Sequence, residues 1–150
     1  MTDATPRVLF LCTHNAARSQ MAEGILRHVS RGTVDAQSAG TAPSTVHPLA
    51  TEAVRRLLGV DLGGQRSKHV DEFSGQRFDY VITLCDSARE TCPVFPGAPV
   101  RMHWSFDDPS AVQGSDEERS RAFRETAAEL ERRIGQLLAV IEGTAKPSRA

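Results

Sequence analysis

The chain is short of cysteine and of tyrosine and tryptophan, and it carries no net excess of either charge. Three cysteines among 150 residues are too few for a secreted disulfide scaffold, and an odd number leaves at least one thiol free. In a reducing compartment such cysteines are read first for chemistry. Eighteen Lys and Arg stand against 19 Asp and Glu, so the basic footprint of a nucleic-acid binder is missing and no nucleic acid is expected as partner. The longest early apolar run, residues 8–12, is far too short to cross a bilayer or to form a secretory core, and it follows an acidic, polar start. A cytoplasmic protein without a membrane partner is expected. With 39% hydrophobic and 25% charged residues, the chain is not disordered either.

What is present reads as one domain over residues 1–150, with frayed tails at 1–6 and 143–150. The run Arg7-Val8-Leu9-Phe10-Leu11 has the density of a parallel strand buried on both faces, and it breaks at Thr13-His14-Asn15. From Ser19, the positions Met21, Ala22, Ile25, Leu26 and Val29 share a helical face that ends near Arg31-Gly32. A short second strand is expected over 33–38, then a loop over 39–46. Pro48 opens a second helix carrying Leu49, Ala53, Val54 and Leu57. Residues 79–84 supply a third buried strand and 100–103 a fourth. Residues 116–142 have Phe123, Ala127, Leu130, Ile134, Leu137 and Ile141 at helical spacing, with Glu117/Arg121 and Glu129/Arg133 expected as i,i+4 pairs. Strands alternating with helices imply an α/β fold, a single-domain four-stranded parallel sheet with helices on both faces. Ligands of such sheets bind beyond the carboxyl ends of the strands. Cys12 follows strand one, Cys85 follows strand three and Asp107-Asp108-Pro109 lies a few residues past strand four, so all three should meet at one edge.

The strongest local signal is Cys12-Thr13-His14-Asn15-Ala16-Ala17-Arg18-Ser19, a cysteine and an arginine separated by five residues between a strand and a helix. A loop so placed can turn its N–H groups inward and end on a helix N-terminus, which favours negative charge. Residues 13–19 are therefore expected to hold a tetrahedral oxyanion. Arg18 adds a guanidinium fork for two oxygens, and the same field favours the Cys12 thiolate, the nucleophilic form. Ser19 is placed to donate to that sulfur, and Asn15 to hold the loop's shape. The loop alone does not separate phosphate from arsenate.

With these residues assembled, the chain resembles the low-molecular-weight tyrosine phosphatase fold, and more closely its thioredoxin-coupled arsenate reductase branch, nearly end to end. Leu11-Cys12-Thr13 and Arg18-Ser19-Gln20-Met21-Ala22-Glu23-Gly24 resemble that branch's loop and first helix. Ser38-Ala39-Gly40 resembles its second-strand turn, and His103-Trp104 with Phe106-Asp107-Asp108-Pro109 its acid loop. Val81-Ile82-Thr83-Leu84-Cys85 with Cys92-Pro93 discriminates most, because phosphatases of the fold have no need of those two cysteines. They usually also carry aromatic residues after the Asp-Pro pair and after strand two. Here those places read Ser110-Ala111-Val112 and residues 42–47, and the only tyrosine, Tyr80, lies in a strand.

The resemblance implies that Cys12 attacks the arsenic of arsenate, that Arg18 and the loop stabilise charge, and that Asp108, the residue before the proline, protonates the leaving oxygen. Asp107 is the alternative acid. Cys85 then attacks Cys12 and releases arsenite, Cys92 attacks Cys85, and reduced thioredoxin opens the final disulfide. No bound cofactor is implied. Phosphate and sulfate compete as oxyanions, and a monomer is expected. Seven residues apart on an intact helix, Cys85 and Cys92 have Cα atoms about 10 Å apart, whereas a disulfide needs about 4.4–6.8 Å. Residues 86–91, a short helix with stops at both ends, must therefore unwind or bend on oxidation. Some members of the branch bind potassium through residues matching Asn15, Glu23 and Ser38 and a later Asp. Lys68 stands at that Asp's place. It is either an ammonium that fills the cation's position beside Glu23 or an ordinary solvated lysine, and no metal is expected. The four histidines outside the loop have no ligand spacing with the cysteines. Two rivals remain: a phosphatase of the same fold, using Cys12, Arg18 and Asp108 alone, and a non-catalytic oxyanion or redox sensor.

Overall fold

Both faces of the first strand are apolar, and the chain covers both. In the computed structural model, which describes residues 5–143, β1 (Arg7–Cys12) is buried from Val8 to its end. It pairs in parallel with β2 (Asp35–Gly40) on one side and β3 (Tyr80–Thr83) on the other, and β3 pairs with the edge strand β4 (Val100–His103). The order is β2-β1-β3-β4, the expected four-stranded parallel sheet. Alternation along β1 divides the core. Val8 and Phe10, with Ile82, pack against Met21, Ile25, Leu26, Val54, Phe123, Leu130 and Ile134 from the helices. Leu9 and Leu11, with Val81, face a smaller cluster of Val70, Phe73, Phe78, Ala88 and Phe95, against which Cys85 and Cys92 also pack.

Helix α1 (Arg18–Val29) follows the loop after β1. α2 (Pro48–Leu58) starts with proline in its first turn, His47 Nδ1 accepts from the Leu49 N–H at 3.1 Å, and Gly59 closes it at φ 71°. α3 (Asp86–Thr91) is a six-residue helix bounded by Cys85 and Cys92, as the sequence reading requires. α4 (Asp116–Ile141) opens on a reciprocal capping box between Ser115 and Glu118, which satisfies two end donors at once. Two 3-10 turns, Val70–Phe73 and Pro109–Ala111, are too short to carry a periodic pattern.

Several expectations are corrected. The second strand starts at Asp35 rather than residue 33, because the Thr33 hydroxyl and N–H both donate to Ser30 O and hold residue 33 in the turn that closes α1. On α4, Glu117 pairs with Arg124 rather than Arg121, and Glu129 with Arg132 rather than Arg133. Arg133 lies instead over the Trp104 ring, 5.1 Å from its centroid, where a planar cation is attracted to the π face. Apart from residues 5, 6 and 143, the tails expected to fray lie outside the described residues, and Pro6 O accepts from Asp35 N at 2.8 Å. Among the described residues no helix is long and apolar enough to cross a membrane.

Leu130, fully buried between α4 and the sheet, should lose about 2–5 kcal/mol of stability on replacement by alanine. Val94, 90% exposed, should lose less than about 0.5 kcal/mol. Urea midpoints of Leu130→Ala and Val94→Ala measure both.

Candidate active site

The site is built around the direction of four carbonyls in the loop between β1 and α1. Thr13 O accepts from Ala42 N, His14 O from Ser44 N and the Ser67 hydroxyl, Asn15 O from Gln20 Nε2, and Ala16 O from His47 N. All four are thus taken by segments outside the ring. A planar trans peptide points its N–H opposite to its C=O, and among the described residues there is no cis peptide. The N–H groups of residues 14–17 therefore face the ring interior, where the His14 N–H donates to the Cys12 sulfur. Such a run of amides is an anion-binding concavity.

Asn15 fixes this shape. Its backbone lies at φ 50°, a left-handed conformation that asparagine tolerates better than most residues. Its fully buried side chain donates to Ser19 Oγ at 2.8 Å and Ser38 Oγ at 2.9 Å, and accepts from Gln20 Nε2 and Lys68 N, both at 2.8 Å. Gly40 sits against the loop: a Cβ there would lie 2.4 Å from Thr13 O and 2.9 Å from Cys12 O. The Ser19 hydroxyl accepts from Asn15 Nδ2 at 2.8 Å, which leaves its own proton free to donate.

Behind the loop, Lys68 is buried rather than solvated. Its Nζ lies 3.4 Å from Glu23 Oε1 and donates to Arg66 O at 3.0 Å. Glu23, itself 3% exposed, also accepts from Ser38 Oγ at 2.5 Å and Arg27 Nη2 at 2.7 Å. Of the two readings of Lys68, the geometry is that of an ammonium paired with Glu23. Among the described residues no three His, Cys, Asp or Glu side chains come together as metal ligands.

Arg18 is 8% exposed. Its Nη1 donates to Phe106 O at 2.9 Å, and Nη2 lies 3.8 Å from Asp108 Oδ2. Its Nε is buried with no hydrogen-bond partner among the described residues. Asp108 Oδ1 accepts from the N–H of Ser110 at 2.9 Å and its hydroxyl at 2.7 Å. Burial raises the Asp108 pKa, but the Ser110 bonds, with the charges of Arg18 and His14, outweigh it and hold the carboxyl below its usual range. Asp107 is exposed. The expected edge thus brings Cys12, Arg18, Cys85 and Asp108 together, while Cys92 sits apart at the far end of α3.

The two sulfurs at the centre act as one titrating unit. The interaction of each thiol with the other is the largest cause pulling Cys85 down to about 5 and pushing Cys12 up. Burial raises both thiols, while Arg18 lowers both. The Thr13 hydroxyl, 3.3 Å from Cys85 Sγ, also lowers that thiol. The pair therefore gives up its first proton readily and its second only with difficulty. Sequence reasoning missed Gln20 as a loop anchor, and it missed Arg101, whose Nη1 donates to Cys92 Sγ at 3.1 Å. The alternation of Arg101 with His103 along β4 was the available signal.

A strand, an anion loop ending in arginine, a helix and a distant Asp-Pro turn define a class. The chain belongs to the low molecular weight phosphotyrosine protein phosphatase family, which matches residues 7–146. Within it, the chain is 40% identical over 127 residues to the arsenate reductase of Halalkalibacterium halodurans, covering 85% of this chain and 91% of the relative. It is similar to a solved arsenate reductase in the oxidized state, with a TM-score of 0.75 and 29% identity over 90% of this chain and 98% of that one. It is also similar to the thioredoxin-dependent arsenate reductase of Corynebacterium glutamicum, with a TM-score of 0.71 and 31% identity over 97% of this chain and 66% of that one.

Gly40→Ala should displace the loop through backbone collisions; phosphate or arsenate binding by calorimetry is expected to fall at least about tenfold, with little change in the folded circular dichroism signal. Thiolate is the alkylated form. With Cys85 at about 5, iodoacetamide labelling of the Cys12/Cys85 pair should hold from neutral pH down to about pH 5 and decline below. Cys85→Ala removes the largest cause raising Cys12 and should shift the onset of Cys12 labelling to lower pH.

Proposed function

We propose that the chain is an arsenate reductase working through Cys12, Cys85 and Cys92. The observation that carries this reading is a second thiol beside the nucleophile: Cys85 is the largest influence on the Cys12 thiol and Cys12 the largest on Cys85, next to the loop between β1 and α1. Hydrolysis of a phosphate ester has no use for a second thiol at the nucleophile, whereas reduction requires one.

Arsenate binds with its oxygens on the inward N–H groups of residues 14–17 and on Arg18, whose unpartnered Nε gains an acceptor. The shared negative charge moves to Cys12 as the proton passes to Cys85. Cys12 Sγ attacks arsenic, a sulfur–arsenic bond forms, and one arsenic–oxygen bond breaks. Asp108 is held ionised before binding. Arsenate enters as the monoanion with two hydroxyls; Asp108 takes the proton from one and delivers it to the other, which departs as water. Cys85 passes the proton it took from Cys12 to an arsenic-bound oxygen and, as thiolate, attacks Cys12 Sγ. The electron pair of the broken sulfur–arsenic bond stays on arsenic, so arsenic(V) becomes arsenic(III) and arsenite leaves beside a Cys12–Cys85 disulfide.

Cys92 attacks Cys85 next, and Cys12 departs as thiolate into the loop that favours it. The remaining Cys85–Cys92 disulfide is reduced by an external dithiol protein, thioredoxin. Lys68, buried against Glu23, supplies from within the chain the positive charge behind the loop, and no resident cofactor enters any step. The relay needs a compartment in which free thiols persist, the reducing cytoplasm, and no step calls for a second copy of the chain.

Arsenate-dependent NADPH oxidation with thioredoxin and thioredoxin reductase tests the reading, with aryl phosphate hydrolysis measured on the same preparation. Turnover is expected to vanish in Cys12→Ser and Cys85→Ala, and Cys92→Ser should release about one arsenite per chain and then stall. Brisk phosphate release with no NADPH use, unchanged in Cys85→Ala, would make the protein a phosphatase.

A further inference from the structure

Helix α3 is held at both ends by one strand. On β4, Arg101 and His103 are two residues apart and project to the same face. At the C-terminal end of α3, Arg101 Nη1 donates to Cys92 Sγ at 3.1 Å and Nη2 donates to Pro93 O at 2.9 Å. At the N-terminal end, His103 Nε2 is 3.0 Å from Asp86 Oδ1, and its Nδ1 is 2.8 Å from Thr83 Oγ1, which orients the ring. Asp86 follows Cys85 directly, so the two contacts hold the neighbours of the two cysteines. Arg101 lies exposed at the sheet edge, and among the described residues no carboxylate forms an ion pair with it. Both of its contacts go to the segment that must rearrange.

We propose that Arg101 and His103 are positioning residues that clamp α3 in its dithiol form and thereby set the redox poise of the Cys85/Cys92 couple. The inference rests on the relay above. In that relay Cys92 attacks Cys85 of the Cys12–Cys85 disulfide; the Cys85–Cys92 bond forms, the Cys12–Cys85 bond breaks, and Cys12 leaves as thiolate, so no further oxidant enters. On an intact α3 the Cα atoms of Cys85 and Cys92 are about 10 Å apart, and a disulfide requires about 4.4–6.8 Å. Cys92 Sγ must therefore travel several ångströms, far enough to break a bond of 3.1 Å to Arg101. The clamp contacts belong to the dithiol state alone. An interaction present only in the reduced form makes the disulfide a stronger oxidant, easier for an external dithiol to reopen. The clamp thus trades some driving force for disulfide formation against faster regeneration.

The test uses the full chain carrying Cys12→Ser, which isolates the Cys85/Cys92 couple. Its thiol–disulfide equilibrium is read in glutathione buffers of graded ratio, by alkylation and intact mass. Adding Arg101→Ala is expected to shift that equilibrium toward the disulfide by about threefold to tenfold, a potential about 15–30 mV more negative. Arg101→Lys, which keeps a charged donor, should shift it less. His103→Gln tests the other end independently and is expected to move the equilibrium the same way. An Arg101→Ala protein that forms the Cys85–Cys92 disulfide at the parent's equilibrium, or at a more positive potential, overturns the clamp and leaves the relay standing. A parent protein that forms no Cys85–Cys92 disulfide at any ratio overturns the relay, and the clamp with it.

Discussion

Four hydrogen bonds converge on the buried side chain of Asn15, from Ser19 and Gln20 of α1, Ser38 of β2 and the backbone of Lys68. They hold a left-handed residue in the middle of the loop and lock the peptide planes on either side of it. With those planes fixed, the loop carbonyls point outward to partners and the N–H groups point inward, so the anion site exists before any anion arrives. Preorganisation of this kind is what makes backbone amides effective toward developing charge, because no dipole has to turn during the reaction. Gly40 belongs to the same constraint, since its missing Cβ lets β2 approach the loop backbone.

The charges are arranged in depth around that ring. Arg18 stands at the end of the loop, its Nε without a hydrogen-bond partner among the described residues. Lys68 and Glu23 form a buried pair behind it, with Ser38 and Arg27 completing the carboxylate's hydrogen bonds. A buried pair is tolerated only when both partners are so satisfied. At the centre, Cys12 and Cys85 are each the largest influence on the other's thiol, which draws Cys85 down and pushes Cys12 up. In the proposed relay, that coupling lets one pair of thiols serve two successive nucleophilic steps.

The third cysteine shows the opposite arrangement. Cys12 sits on a rigid loop at the end of the central strand, whereas Cys85 and Cys92 bracket a helix of six residues packed on the smaller apolar cluster. So short a helix has little intrinsic stability in water and depends on its contacts with the sheet, two of which come from β4. In the proposed reaction, rigid placement suits a nucleophile that must meet its substrate in one geometry, and a weakly held segment suits a relay that must bring two distant sulfurs together.

The order of strands and helices, the loop from Cys12 to Ser19 and the bracketed helix at residues 86–91 were legible in the sequence, because each rests on local signals: dense apolar runs, helical spacing, proline at a helix start and residues that stop a helix. The partners of α4's carboxylates were misread, since a long flexible side chain chooses among several neighbours on a helix surface and a tryptophan from another segment drew Arg133 away. The role of Lys68 stayed open for a related reason, as burial depends on what packs over a loop from elsewhere in the chain. The contact of Cys12 with Cys85 and the hold of Arg101 on Cys92 join β1 to β3 and β4 to α3; such pairings are set by sheet order and register, which no local pattern encodes. The sequence by itself determined which chemical groups exist and the elements that carry them. Only the tertiary structure decided which thiols perturb one another, which charge is buried and which strand contacts both ends of α3, because those depend on distances between residues far apart along the chain.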